Sequence, residues 1–151
     1  MSTTTTMAEL SGMTGAELGT SDWVEVTQDN VNLFADATGD HQWIHVDVER
    51  ATAESPFGGP IAHGYLTLSM IVPMFWQVLS VTDAPLVVNY GLNKVRFPSP
   101  VPVGSKVRMT ATLAGVEEVT GGLQLTVAAV IEREGGQKPV CIAEALYRYY
   151  R

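Results

Sequence analysis

The sequence predicts an α+β domain in which an antiparallel β-sheet wraps a long buried central helix. Three observations carry this reading. Over residues 106–113 and again over 123–131, apolar and polar residues alternate with the period of two expected of half-buried strands. Residues 63 to about 79 are apolar on nearly every side, as in a helix covered all round. Residues 27–54 carry the caps and spacing of shorter helices. Laying the apolar helix inside the sheet is the simplest way to bury it.

In chain order, residues 1–10, with the threonine run at 3–6, read as a frayed tail. Residues 23–26 read as a short strand. Thr27 is a candidate N-cap, followed by Asp29 in the first turn, by Val31, Phe34, Ala35 and Ala37, and by a terminating Gly39. Asp47 is expected to cap a second short helix ending at Glu54. The segment Ser55-Pro-Phe-Gly-Gly-Pro60 then interrupts regular structure. Pro73 is expected to kink the apolar helix or thin one of its turns. Four long strands follow, at 86–97, about 106–113, 123–131 and 140–150, with a turn at Gly121-Gly122. Pro98, Pro100 and Pro102 mark a connection that cannot be a central strand.

The 151 residues suit one domain spanning 1–151, and no linker or internal repeat divides them. With 46% apolar and 17% charged residues the chain has enough material for a packed core. A net charge of −7 argues against nucleic acid and anionic membrane as partners. Residues 1–75 hold one base, Arg50, against ten acids, whereas the remainder holds eight bases against six. The lone Cys141 excludes an intramolecular disulfide and a multi-cysteine zinc site, and it points to a reducing compartment. The N-terminus has neither the basic residues nor the apolar core of a targeting signal. The longest apolar stretch is too short to span a bilayer, which needs roughly 20 residues. A soluble, cytoplasmic protein is expected.

All three histidines, His41, His45 and His63, fall within 23 positions. Asp40 and His45 share a loop opened by Gly39, and a carboxylate and an imidazole aimed into one cleft can exchange protons with one bound water. The same residues also fit plain structural duties, Asp40 closing a turn and His45 a satisfied buried polar group. His41 and His45 have the i, i+4 spacing of a zinc pair, but Gly39 and Asp47 argue for a loop there, so no metal is expected. No Gly-x-Ser-x-Gly elbow supports a serine triad. Cys141, in the middle of an apolar strand, reads as an inert small hydrophobe.

Phe34-Ala-Asp-Ala-Thr-Gly-Asp40-His-Gln-Trp-Ile-His45-Val-Asp, followed by Phe57-Gly-Gly-Pro-Ile-Ala-His63-Gly64, resembles the MaoC-like (R)-specific enoyl-CoA hydratases, or hydratase 2. The match is closest to their single-domain actinobacterial and nodulation-protein-N-like branch, and extends through Tyr90-Gly-Leu-Asn-Lys-Val-Arg-Phe-Pro-Ser-Pro-Val-Pro-Val-Gly104. The resemblance covers most of the chain, from about Trp23 to the last strand. It implies the hot-dog fold, Asp40 and His45 as catalytic pair, and the Gly64 backbone N–H as donor to the thioester oxygen. The broader family usually has Asn-Pro where this chain has Gln42-Trp43; Gln42 keeps an amide able to orient a neighbour, while the bulk of Trp43 bears on pocket shape.

The implied reaction is reversible addition of water to trans-2-enoyl-CoA, giving (R)-3-hydroxyacyl-CoA, in a homodimer without metal or redox cofactor. Tyr65, Ser69 and the apolar helix face are candidate acyl-pocket lining or plain core, and His63 is expected to orient the loop or cap the helix. Lys94, Arg96, Lys106 and Arg108 lie on strands joined by the proline connection. If they share one sheet face they could meet the phosphates of coenzyme A, or else form ordinary solvated surface. The alternatives are a 3-hydroxyacyl-thioester dehydratase acting on acyl carrier protein, a hot-dog thioesterase, and a non-catalytic acyl-thioester-binding dimer subunit.

Overall fold

The computed structural model describes residues 2–151. Its elements in chain order are β1 (Thr3–Thr5), α1 (Met7–Leu10), β2 (Glu17–Thr20), β3 (Val24–Glu25), α2 (Gln28–Thr38), α3 (Trp43–Val46), α4 (Val48–Glu54), α5 (Gly64–Ser69), α6 (Ile71–Val78), β4 (Leu79–Val81), β5 (Leu86–Arg96), β6 (Lys106–Val119), β7 (Gly122–Arg133) and β8 (Cys141–Tyr150). The four long strands lie where the sequence places them, and β6, β7 and β8 alternate between buried and more exposed residues while β5 has no buried residue. With the short β2 and β3 they form a six-stranded antiparallel sheet in the order β2-β6-β7-β8-β5, β3 also pairing with β6. Its inner face is the row Val107, Met109, Ala111, Leu113 on β6, Leu123 to Ile131 on β7 and Cys141 to Tyr149 on β8. Against this face α6 packs Ile71, Met74, Phe75 and Val78, with Phe75 stacked 4.7 Å from Tyr147. Among the described residues no helix is long and apolar enough to cross a membrane.

The first ten residues are not a frayed tail. Residues 3–5 pair in parallel with β4. Thr6 and Glu9 close a reciprocal capping box around α1, and the Met7 N–H donates to Asp83 Oδ1 at 2.8 Å. The signal was Thr6-x-x-Glu9, two residues that satisfy each other's backbone donors. Met7 and Leu10 are thereby pressed into the core. Leu10→Ala is expected to destabilise the fold by about 3 kcal/mol, as for a buried leucine; chemical denaturation checks this, and an unchanged midpoint would restore the frayed tail.

The central helix also departs from expectation, being two helices rather than one. Pro73 has no N–H to offer the Ser69 carbonyl four residues back, and the chain breaks at Met70 between α5 and α6. The helix is not covered on every side either. Tyr65 is 71% and Trp76 64% exposed, because in a single chain the sheet wraps only the face that carries Ile71, Met74, Phe75 and Val78.

Candidate active site

The site begins where α2 ends. Thr27 Oγ1 accepts the Asn30 N–H at 3.1 Å, setting the start of this helix. Gly39, at φ 85°, adopts the left-handed conformation that stops it. Asp40 is therefore the first residue beyond the helix, on an exposed turn. Its N–H reaches Thr38 Oγ1 at 3.4 Å and its Oδ1 accepts the Gln42 N–H at 3.3 Å. The following segment is helical from Trp43 to Val46 rather than all loop. That single turn points His45 inward, 7% exposed, while Trp43 packs under the Arg50 guanidinium.

Two backbone tethers hold His45. Ile61 donates its N–H to the Ile44 carbonyl at 3.0 Å, and its own carbonyl accepts from His45 Nδ1 at 2.7 Å. A carbonyl can only accept, so the proton sits on Nδ1 and Nε2 is left as a base. Gln28 Nε2 donates to the His45 carbonyl at 2.8 Å, tying α2 to the same turn. Burial, ahead of the neighbouring His63 ring, holds the His45 imidazole below its ordinary value of 6.5, against the opposing pull of the Ile61 carbonyl and of Asp40. His45 is thus a neutral base at neutral pH.

His63 completes the cluster. It is 2% exposed, its ring stacks on His45 at 3.9 Å, and its Nε2 donates to the Asp40 carbonyl at 2.9 Å. A carboxylate oxygen of Asp40 and one nitrogen of each imidazole lie within 4.8 Å of one another, a spacing that one bridging water can span. The three groups are of types that can ligate a metal ion, but one nitrogen of each imidazole is already committed to a backbone carbonyl, which leaves one lone pair on each ring. His41 takes no part, since it turns outward onto Asp36 at 2.9 Å.

Gly64 opens α5 directly after His63, and its N–H meets no backbone carbonyl among the described residues. A Cβ built there would lie 3.0–3.2 Å from the ring of Phe97. Gly64 and Phe97 share the wall of a cavity of about 290 Å³ with Phe57, Ile61, Thr67 and Val101.

The remaining candidates divide. Gln42 serves Asp40 through its backbone N–H, and the side chain is exposed. Tyr65 is exposed, so it is not core. Ser69 lines a second cavity of about 130 Å³ with Val72, Leu92 and Tyr147, but its hydroxyl donates to the Tyr65 carbonyl. His63 makes no capping bond to α5, its side chain being turned to the loop instead. The four bases do not form one patch. β7 and β8 intervene between β5 and β6, which sets the pairs roughly 14 Å apart at the usual strand spacing. Arg108 is committed to Glu132 at 2.8 Å and to the face of Trp23. Lys94 and Arg96 flank a shallow hollow beside Ile142 and Glu144, next in the chain to Phe97. Cys141 is buried, and burial pushes its thiol up to about 11.

Sequence reasoning missed the Ile61 carbonyl, the His45–His63 stack and Phe97. A backbone acceptor leaves no residue-type signal, and ring contacts between distant segments have none either.

A sheet wrapped on a helix, with a carboxylate and imidazoles gathered near the helix head, is the arrangement of the hot-dog proteins, and the chain's relatives make it one of their hydratase and dehydratase class, the hydro-lyases. The chain belongs to the MaoC-like domain family, whose model matches residues 9–135. It is 55% identical over 150 residues to the 3-hydroxyacyl-thioester dehydratase Z of Mycobacterium tuberculosis, covering 99% of both chains. It is 44% identical over 139 residues to the nodulation protein N of Rhizobium meliloti, covering 91% of this chain and 86% of that one. Among solved structures, a monoamine oxidase regulatory protein from Archaeoglobus superposes with a TM-score of 0.81 at 25% identity, covering 100% of this chain and 98% of that one.

Proposed function

We propose that the protein is an (R)-specific enoyl-CoA hydratase. It adds water reversibly to a trans-2-enoyl thioester to give the (R)-3-hydroxyacyl thioester. The observation that carries this reading is the buried, neutral His45, whose Nδ1 proton is committed to Ile61, beside the Asp40 carboxylate. Together they hold one water; the dyad takes one of its protons as its oxygen bonds to C3. The electron pair of the C2–C3 double bond moves toward the thioester oxygen, where the Gly64 N–H receives the developing charge. The proton then passes to C2. The step moves one proton and one hydroxyl and transfers no electrons, so it calls for no redox cofactor, and the Gly64 N–H serves at the thioester oxygen where a Lewis-acid metal could otherwise act. The name of the mycobacterial relative supports the reverse direction, dehydration, by the same atoms, and leaves acyl carrier protein as the alternative carrier. Loss of the conjugated-enoyl absorbance of a short enoyl-CoA, with chiral analysis of the product, tests the reading. An (S) product, or no bleaching with either carrier, would sink it.

Three finer points belong to this reading. Lys94 and Arg96 meet the phosphates of the carrier: neither has a carboxylate within salt-bridge distance among the described residues, and both precede Phe97 at the cavity wall. Reversing both charges should raise KM at low salt and leave kcat intact; an unmoved KM would make them ordinary surface. The functional unit is a homodimer. β5 is a sheet edge of 11 residues, with Leu86, Val88, Tyr90 and Leu92 exposed, and natural proteins cover such an edge. Sedimentation at micromolar concentration should give two chains, and an active monomer would refute the pairing. The single buried thiol fits the reducing cytoplasm, where we place the reaction; export of the protein in fractionated cells would contradict that.

A further inference from the structure

We propose that His63 is a positioning residue that sets the spacing between the Asp40–His45 pair and the Gly64 N–H, an inference that rests on the hydration reading. Asp40 stands on an exposed turn just past a left-handed glycine, and the bonds within that turn are long, at 3.3 and 3.4 Å. The bond from His63 Nε2 to its carbonyl is the short one, at 2.9 Å, and it comes from the residue that directly precedes Gly64. The His63 ring is wedged between Phe34 on α2, at 4.9 Å, and His45 on α3, at 3.9 Å. One side chain therefore touches α2, the catalytic turn and α3, and its backbone begins α5. These are the segments that must keep register if base, carboxylate and oxyanion donor are to meet one substrate.

The chemistry of the ring agrees. Nε2 donates to a carbonyl and so carries the proton, which leaves Nδ1 unprotonated, buried and without a partner among the described residues. A residue present only to fill space would not leave such an atom, since an unpaired buried acceptor is unfavourable and phenylalanine would fill the volume. The Nε2 proton is committed to the Asp40 carbonyl, so this ring holds that backbone in place rather than exchanging protons with the substrate. His63 acts through its grip on the Asp40 backbone and its stack on His45.

The test compares His63→Phe, which keeps a ring against His45 but has no donor, with His63→Gln, whose amide N–H can reach the Asp40 carbonyl. His63→Phe is expected to lower kcat on the order of 10²-fold, the loss typical of a displacement near 1 Å at a catalytic group, with KM little changed. His63→Gln should restore most of it. In an Asp40→Asn background the phenylalanine change should cost little more, because both act through one carboxylate. Wild-type kcat in His63→Phe, or the same fold loss in both backgrounds, would overturn the assignment. If His63→Phe fails to fold by circular dichroism, His63→Met keeps the bulk without the donor and takes its place. A wild-type protein that does not hydrate enoyl-CoA would remove the hydration reading itself, a result distinct from an active wild type indifferent to His63.

Discussion

Asp40→Asn and His45→Gln are each expected to lower kcat for enoyl-CoA hydration by about 10²–10⁴-fold, the usual contribution of a general acid–base group. The double variant should be little worse than either single one, because both groups act on one water. Neither change touches the apolar core or Gly64, so the variants should fold and bind acyl-CoA, although His45→Gln gives up the buried hydrogen bond to Ile61. The same pair separates the competing activities. A thioesterase would release thiol in a manner that falls with Asp40 and ignores His45, whereas a binding subunit would show no turnover to lose. The pH profile gives a second measurement. Burial holds the His45 imidazole below 6.5, so the acid limb of kcat/KM should fall below that value and be absent from His45→Gln. The sign for stability is the same: a histidine depressed in the folded state contributes fully above its unfolded value and loses that contribution as pH falls through the folded one. Acidification below about pH 6.5 should therefore weaken folding less in His45→Gln than in the wild type. Wild-type hydration by His45→Gln would defeat the mechanism and leave only a shared fold.

The parts of this molecule legible in the sequence are those written in periodicity and caps. Val107, Met109, Ala111 and Leu113 alternate because one face of β6 meets the core and the other meets water, and Thr27, Gly39 and Asp47 sit at helix ends whose backbone groups require them. The break at Met70 follows from Pro73, although periodicity alone read the two helices as one. Strand order was not legible. Lys94 and Lys106 are 12 positions apart in the chain, yet β5 pairs with β8 and not with its neighbour in sequence, because a hydrophobic alternation records which face is buried and not which strand lies beside it. The site was legible where a motif names side chains, at Asp40 and His45. It was illegible where the backbone does the work, as in the Ile61 carbonyl that selects the His45 tautomer. The N-terminal strand was hidden for a related reason: Thr3, Thr4 and Thr5 carry no apolar alternation, and their place comes from pairing with β4 76 residues away.

Deleting the Gly64 N–H should be as damaging as losing one member of the dyad, and the structure offers a way to remove it without breaking the helix. Gly64 is the first residue of α5, a position where proline is well accepted because its missing N–H has no helical partner. His63 before it has φ −62° and ψ 139°, and that ψ is one that a following proline permits. The obstacle is Phe97, whose ring would lie 3.0–3.2 Å from any new Cβ, so the substitution is made together with Phe97→Ala. The control is Gly64→Ala in the same background, which adds a Cβ but keeps the N–H. If the N–H receives the charge that develops on the thioester oxygen, Gly64→Pro/Phe97→Ala should be slower than Gly64→Ala/Phe97→Ala by about 10²–10³-fold in kcat, the loss found on removing one oxyanion donor. KM should differ little between the two, because the donor acts on charge that appears only in the transition state. Equal rates in the pair would assign Gly64 to close packing against Phe97 alone, and the oxyanion would have to be held by some other donor.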